Sequence, residues 1–388
     1  MLTIPTSTLP APSEEALLHS QQLALLIRDE IRQCGGWLSF AQFMQMALYT
    51  PKLGYYSGGA KKFGMGGDFI TAPEISPLFA KTLAYQVKQI LQETKGNILE
   101  LGAGTGRLAT DMLHALQAMQ QLPERYYILD VSAHLRRIQL ETMRSELPSD
   151  LVDRVVWLDS LPDKFTGLVL GNEVLDAVPV NLVYASDQRL YERGVAYEKD
   201  FFWQDKSISE GDLFDAVSMY AFYDQYLTEA SPQSVGLIHS LARMLDAGVI
   251  LMLDYGFPAH EYYHPQRNQG TLMCHYQHYA HGNPFINIGL QDITSHVDFT
   301  RIAQAGLECG LQLQGFCSQA QFLMNCGILN VMSKVSPHNI AEYAPLAAAA
   351  QKLLSPAEMG DLFKVIALAK KFEPPLLGFV SGDKSHTL

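Results

Sequence analysis

A glycine-rich stretch after an apolar run constrains this chain more than any other part of its sequence. Residues 98–108 read ILELGAGTGRL, so three alternating glycines separate an apolar segment from a helical pattern. Glycine tolerates positive φ and lets a ligand approach the backbone, so the stretch predicts a strand, a ligand-binding turn and a helix start. Arg107 stands where a dinucleotide fingerprint needs its third glycine, and the lysine of a phosphate P-loop is absent.

The spacing E-x-G-x-G-x-G resembles motif I of class I methyltransferases, which bind S-adenosylmethionine (SAM). That resemblance predicts a cofactor-binding turn formed by Glu100, Gly102, Gly104 and Gly106. An acid at the end of the next strand would complete the site by accepting hydrogen bonds from the ribose hydroxyls. Asp130 lies there, one β-α-β unit after the glycines, so we expect it to take that role. The alternative is a structural glycine turn with an ordinary loop aspartate.

Apolar runs and helical patterns alternate from residue 97 onward, which predicts an α/β fold with a doubly wound sheet. This is the Rossmann-like sheet of class I methyltransferases, here with an N-terminal helical region and a β insertion. We divide the chain into a flexible tail (1–13), a helical and loop cap region (14–95), a cofactor-binding core (96–180 and 234–370), an insertion (181–233) and a C-terminal tail (371–388).

Composition and charge exclude several classes of function. The chain has 388 residues and a formal net charge of −12, which argues against a general nucleic-acid binder. Its five cysteines are scattered without a C-x-x-C pair, so neither a disulfide framework nor a zinc site is predicted. No apolar run reaches the roughly 18 residues of a membrane span. The first residues lack the pattern of a signal or transit peptide, which predicts a cytoplasmic protein.

Polar residues follow the third and fourth strands of the predicted sheet. Asp159 and Ser160 follow the third strand, where class I methyltransferases place an acid near the adenine amino group. Capping of a helix is the alternative role of Asp159. Asn172, Glu173 and Asp176 follow the fourth strand, where cofactor and acceptor should meet.

The carboxylates of Glu173 and Asp176 are three residues apart, so on a helical turn they share a face. Paired carboxylates can bind a guanidinium through charge-assisted hydrogen bonds. Helix capping by Asn172 and Asp176, with Glu173 solvated, is the alternative.

A third polar group, Asp292, His296 and Asp298, resembles a set of metal ligands on paper. Residues 292 and 296 share a helical face but 298 does not, so the three would not converge on one ion. We therefore predict no metal site. His296 either lines the substrate cleft or is a structural histidine.

Several sequence blocks resemble those of the MidA-like SAM-dependent methyltransferases, relatives of the mitochondrial complex I assembly-factor arginine methyltransferase. The blocks are Tyr49–Tyr56, Gly67–Ser76, Glu100–Gly106, Asn172–Val180 and Gln291–Phe299. Two positions depart from the family pattern. Asp130-Val131-Ser132 replaces Glu-Pro-Ser, and Val174-Leu175 replaces two aromatic residues.

The resemblance implies SAM as methyl donor, S-adenosylhomocysteine (SAH) as product and a protein arginine as acceptor, with a respiratory complex I subunit as a candidate partner. Glu173 and Asp176 would be the catalytic residues. We expect the loop 67–74 to close over the cofactor. The remaining expected contacts are Asn172, Gly67 and Thr71 with the cofactor, and Tyr55, Glu74 and His296 with the substrate.

Two other functions fit the same residues. A small-molecule O- or N-methyltransferase would use Tyr55, Tyr56, Phe63 and Phe69 to hold a planar substrate. A non-catalytic assembly protein would keep SAM as a structural ligand. The fold does not decide among them, and the sequence leaves the oligomeric state open.

Overall fold

The computed structural model describes residues 9–58 and 71–388. The chain divides into two compact units. The first unit comprises residues 1–69, 176–236 and 259–296, and the second comprises residues 70–175, 237–258 and 297–388. Among the described residues, no helix has the length and apolarity needed to cross a membrane.

The strands are numbered in chain order. They are β1 (Leu38–Ser39), β2 (Asn97–Leu101), β3 (Tyr126–Leu129), β4 (Val155–Leu158), β5 (Phe165–Asn172), β6 (Asn181–Ser186), β7 (Arg189–Tyr197), β8 (Phe201–Ile208), β9 (Tyr226–Ala230), β10 (Leu245–Phe257), β11 (Met273–Tyr276), β12 (Tyr279–His281), β13 (Asp292–Thr294), β14 (Val297–Asp298), β15 (Gln312–Ser318) and β16 (Phe363–Lys370).

The helices are numbered in the same way. They are α1 (Glu14–Gln33), α2 (Phe40–Tyr49), α3 (Ala72–Ile75), α4 (Leu78–Thr94), α5 (Arg107–Ala118), α6 (Ala133–Glu146), α7 (Ser149–Val152), α8 (Asp212–Val217), α9 (Pro232–Met244), α10 (Ala259–Tyr262), α11 (Phe299–Glu308), α12 (Gln319–Asn325), α13 (Ile328–Met332) and α14 (Ile340–Leu354).

The second unit contains the predicted doubly wound sheet, with strand order β15-β16-β10-β5-β2-β3-β4 and β14 paired to β10. The strands from β10 to β4 are parallel, and β16 is antiparallel to both β10 and β15. The chain runs outward from β2 through β3 to β4, then crosses back to β5 on the other side of β2. Ligands of such sheets bind beyond the carboxyl ends of the strands where the order reverses, which here are β2 and β5.

A large apolar core lies in the second unit. It includes side chains of α4 and α5 and of the central strands β2, β5 and β10. The hydrophobic residues of β5 and β10 run almost without interruption because both faces of a parallel sheet are covered. Residues 371–388, which we expected to form a tail, contribute Phe372, Leu376 and Phe379 to this core. Apolar side chains buried in this way anchor the segment to the unit.

The first unit is built around the residues that we expected to form an insertion. Strands β6, β7 and β9 form an antiparallel sheet, with β1 and β8 also paired to β7. Strands β12, β11 and β13 form a second, three-stranded sheet. The strands β11 and β12 were not predicted, because the tyrosines and histidines in and around them show no clear alternation.

Gly248 offers a test of the close pairing between β5 and β10. Its φ is +136°, and a Cβ would lie 1.9 Å from the carbonyl oxygen of Gly167 on the neighbouring strand. We therefore expect Gly248→Ala to lower the free energy of unfolding by about 3 kcal/mol or more, as measured by urea denaturation. The control is Gly236→Ala in α9, where no described atom lies within 4 Å of the added Cβ. At this helical position the higher helix propensity of alanine should raise the free energy of unfolding by about 0.5–1 kcal/mol. Equal changes in the free energy of unfolding for the two variants would contradict the close pairing of β5 and β10 at Gly248.

Candidate cofactor and acceptor site

The glycine turn follows β2 at the reversal of strand order. Gly102, Gly104 and Gly106 have φ values of +61°, +54° and +84°, so all three adopt the left-handed conformation that glycine tolerates best. No described atom lies within 4 Å of a Cβ built on Gly104, so the turn leaves space for a ligand against its backbone. Gly106 precedes α5, whose N-terminus adds unpaired N–H groups.

Glu100 points into the protein beneath this turn. It is 2% exposed and accepts a hydrogen bond of 2.8 Å from the hydroxyl of Tyr126. Burial raises the pKa of Glu100 to about 7, although the bond from Tyr126 opposes the shift. The carboxyl group therefore titrates near neutral pH directly below the predicted cofactor turn.

Asp130 ends β3 next to the glycine turn and is 5% exposed. One carboxylate oxygen accepts from the N–H of Ser132 and the other from Nε2 of Gln139, both at 2.8 Å. The same Gln139 amide donates to the carbonyl of Gly104 at 3.1 Å and accepts from Trp157 Nε1 at 2.8 Å. Gln139 thus connects the glycine turn to the ends of β3 and β4.

Gln139 was missed by the sequence analysis, although the sequence contains a signal for it. It lies between Leu135 and Met143 at four-residue spacing, and these three are the buried residues of α6. A glutamine at an apolar position of an amphipathic helix needs buried hydrogen-bond partners.

Asp159 and Ser160 lie at the end of β4, where both are exposed. Asp159 forms an ion pair of 2.6 Å with Arg136, and its side chain is 93% exposed. The guanidinium of Arg136 also donates to the carbonyls of Asp130 and Leu158. Arg136 therefore connects the carboxyl ends of β3 and β4, where the resemblance places the ribose and adenine contacts.

The turn after β5 places Asn172 and Glu173 beside the glycine turn. A Cβ on Gly102 would lie 3.5 Å from Cγ2 of Val174. Glu173 has a φ of +54°, and its N–H donates to the carbonyl of Leu253 at 2.9 Å. Its Oε1 accepts from Asn172 Nδ2 at 3.2 Å and from the N–H of Ala72 at 3.4 Å.

The Oδ1 atom of Asn172 is buried and has no hydrogen-bond partner among the described residues. An unsatisfied buried acceptor is costly unless a ligand donates to it. The open space at Gly104 and this acceptor both fit a polar ligand bound across the carboxyl ends of β2 and β5.

The short helix α3 contacts both turns. Glu74 accepts a hydrogen bond from the hydroxyl of Thr105 in the glycine turn, and Ala72 donates to Glu173. We expected Glu74 to contact the substrate, but the structure places it on the cofactor turn. Thr71 is the N-cap residue of α3, while Gly67 and the aromatic residues Phe63 and Phe69 lie outside the described residues.

Asp176 belongs to the first unit, where it is 5% exposed. In that unit the hydroxyl of Tyr56 donates to both carboxylate oxygens of Asp292 at 3.0 Å. Burial and the nearby carboxylates of Asp292 and Asp176 raise the pKa of Tyr56 well above its usual value, so it stays protonated. Tyr55, expected to contact the substrate, is instead 1% exposed and packs in the core of this unit.

His296 is positioned by a chain of hydrogen bonds that the sequence analysis missed. The backbone N–H of His296 donates to Oγ1 of Thr271 at 3.0 Å. The Thr271 hydroxyl in turn donates to the carboxylate of Glu229, also at 3.0 Å. Glu229 also accepts from the N–H groups of Thr271 and Leu272. Burial raises the pKa of Glu229, while these bonds act in the opposite direction.

The polar residues at 292–298 separate into different roles. Asp292 binds Tyr56, and Asp298 caps α11 by accepting from the N–H of Arg301 at 3.2 Å. Within residues 9–58 and 71–388, no group of three metal-ligating side chains converges.

Comparison with known proteins identifies the family of this chain. Residues 78–317, more than half of the chain, match the model of a family described as "Putative S-adenosyl-L-methionine-dependent methyltransferase". This chain belongs to that family.

The methyltransferase is similar over nearly its whole length to a solved structure that contains the reaction product. It is 46% identical to a Burkholderia thailandensis protein bound to S-adenosyl-homocysteine, with a TM-score of 0.95 over 98% of this chain and 100% of that one. A native crystal structure from the same organism is 45% identical, with a TM-score of 0.92 and the same coverage. The expected fold and the cofactor SAM are thereby confirmed.

Curated relatives are more distant. The methyltransferase is 26% identical to the mitochondrial protein arginine methyltransferase NDUFAF7 homolog of Drosophila melanogaster, over 94% of this chain and 88% of that one. It is 27% identical to the human protein arginine methyltransferase NDUFAF7, over 86% of this chain and 80% of that one. The chain is thus a SAM-dependent methyltransferase, as the resemblance of its sequence blocks to those of the family predicted.

Gly104→Val should abolish cofactor binding, because its side chain would fill the space left against the turn. We expect the dissociation constant for SAH, measured by isothermal titration calorimetry, to rise at least about 100-fold. The matched control is Gly310→Val in the same unit. Gly310 has a φ of +77° and equally open surroundings. Because backbone strain is similar at both positions, loss of SAH binding in both variants would indicate strain rather than an occupied site.

Glu100→Gln tests the buried carboxyl group through the pH dependence of stability. Because the pKa is higher in the folded protein than in the unfolded chain, the folded state binds more protons and wild-type stability falls as pH rises from about 4.5 to 7. Glutamine keeps an acceptor for Tyr126 but does not ionise. We expect the free energy of unfolding of the variant, relative to that of the wild type, to increase by about 2–3 kcal/mol between pH 5 and pH 8. Urea denaturation at each pH measures this difference. A constant difference would contradict a raised pKa.

Proposed function

We propose that this methyltransferase methylates an arginine side chain of a protein substrate. The observation that carries the proposal is the fixed carboxylate of Glu173 beside the cofactor turn. A carboxylate held in this way suits a guanidinium, which remains protonated in proteins and offers paired donors. The curated relatives are named protein arginine methyltransferases, which supports the same acceptor.

The residues proposed to bind SAM surround the ends of β2, β3, β4 and β5. The glycine turn would contact the methionine part, Asp130 the ribose, and Asp159 and Ser160 the adenine. Asn172 would accept a hydrogen bond at its buried Oδ1. The described residues of the set are Glu100, Gly102, Gly104, Gly106, Asp130, Asp159, Ser160, Asn172 and Thr71. Gly67, which the sequence analysis adds, lies outside the described residues.

Bound SAM supplies a methyl group on a positively charged sulfur. The chain's own contribution is to orient the acceptor, since correct placement of two reactants can supply much of the rate enhancement. Glu173 would bind two guanidinium N–H groups and draw the positive charge away from the attacking nitrogen. Asp176, three residues later in the sequence, is proposed as a second catalytic residue on the sequence pattern alone.

The proposed partner is a protein with an accessible arginine, and a subunit of respiratory complex I is the candidate that the family resemblance supplies. His296 remains a proposed substrate contact, since it is half-buried and its backbone is held by Thr271. Glu74 would act on the cofactor turn through Thr105 rather than on the substrate.

The test uses radiolabelled SAM and a protein extract from a bacterial strain that lacks the gene. After incubation with the purified enzyme, acid hydrolysis should release label as methylarginine. Label confined to lysine, to carboxyl esters or to the small-molecule fraction would contradict an arginine acceptor. Intact SAM after long incubation would instead favour a non-catalytic assembly protein.

Glu173→Gln should lower the rate of label incorporation about 100-fold, because the amide cannot balance the guanidinium charge. SAH binding should be unchanged. Glu141→Gln is the matched control, since Glu141 is exposed and its ion pair with Arg137 is a surface pair of 3.8 Å. If Glu173→Gln transfers methyl groups at the same rate as this control, Glu173 has no role in the mechanism.

A further inference from the structure

Asp254 holds the turn that carries Glu173, although the sequence analysis assigned it no role in the reaction. It follows Leu253 near the carboxyl end of β10 and is 1% exposed. Its Oδ2 accepts hydrogen bonds from the N–H groups of Val174 at 3.1 Å and Leu175 at 2.8 Å. Its Oδ1 accepts from the N–H of Tyr255 at 2.9 Å.

Three consecutive backbone donors of the turn are therefore bound by two neighbouring residues of β10. The N–H of Glu173 donates to the carbonyl of Leu253, and the next two N–H groups donate to the carboxylate of Asp254. Hydrogen bonds to a carboxylate are stronger than those to a neutral acceptor, especially away from water.

These hydrogen bonds stabilise a strained backbone conformation at Glu173, the residue that is to be positioned. Glu173 has a φ of +54°, a left-handed conformation that is unfavourable for residues with a side chain larger than that of glycine. Such a conformation persists only where its surroundings fix it. Without the carboxylate, residues 173–175 could relax and move the side chain of Glu173 away from Asn172 and Ala72.

We propose that Asp254 is a positioning residue for methyl transfer, which holds the carboxylate of Glu173 toward the acceptor by fixing its turn. This inference rests on the proposed role of Glu173. Asp254 is buried and acts through the backbone of residues 173–175. An acidic residue is required because it accepts three N–H groups. In an asparagine at this position, an NH₂ group replaces one of the two acceptor oxygens. It would face the backbone N–H of either Tyr255 or of Val174 and Leu175, so that two hydrogen-bond donors would point at each other.

A double-mutant cycle tests the proposal with the full-length enzyme, radiolabelled SAM and the extract described above. Asp254→Asn alone should lower the initial rate of label incorporation at least about tenfold. In a Glu173→Gln background the same change should lower the rate less than about twofold, because the carboxylate that it positions is gone. SAH affinity should match the wild type in every variant. Asp246→Asn, at the opposite end of the same strand, is the control for loss of a carboxylate from β10.

The outcomes separate this inference from the function on which it rests. If Glu173→Gln transfers methyl groups normally, the proposed function of Glu173 is wrong. If Glu173→Gln is impaired and Asp254→Asn is either harmless or equally damaging in both backgrounds, Asp254 does not position Glu173. Asp254→Glu replaces the asparagine variant in the cycle if the latter does not fold. Loss of SAH binding in both variants would also overturn the proposal, because it would assign Asp254 to the fold of the unit.

Discussion

The architecture of the site depends on two neighbouring parallel strands that end in left-handed turns. The reversal of strand order at β2 and β5 brings their carboxyl ends together, and the chain leaves each strand through residues with positive φ. At the end of β2, glycines accommodate this conformation and expose the backbone. At the end of β5, a glutamate adopts it and is held by hydrogen bonds to β10. One turn is thus suited to the methyl donor and the other to orienting the acceptor.

Buried polar side chains connect these turns to the sheet. Gln139 binds the glycine turn, Asp130 and Trp157, and so links the glycine turn to the ends of β3 and β4. On the other side of β2, Asp254 binds the turn after β5. Buried groups of this kind are costly if any partner is missing, so a complete set favours one arrangement of the loops.

The sequence predicted those parts of the site that local patterns determine. The alternation of strands and helices from residue 97 onward was predicted, because apolar periodicity and short polar loops define such elements, and it is present from β2 through α6. The glycine turn was predicted because residue type determines which backbone conformations are accessible. The three-stranded sheet β11–β13 was missed, since pairing between short strands depends on partners elsewhere in the chain. Asp254 was missed as a positioning residue for the same reason, because its partners at 174 and 175 are about 80 residues away.

The central claim, that SAM occupies the ends of β2 and β5 next to Glu173, is tested most directly by hydrogen–deuterium exchange with and without SAH. Binding at this position should protect backbone amides in the glycine turn at 102–107 and in the turn at 172–175. Protection should also extend to residues 130–132 at the end of β3. Protection confined to other segments, with these three turns unchanged at saturating SAH, would contradict the account.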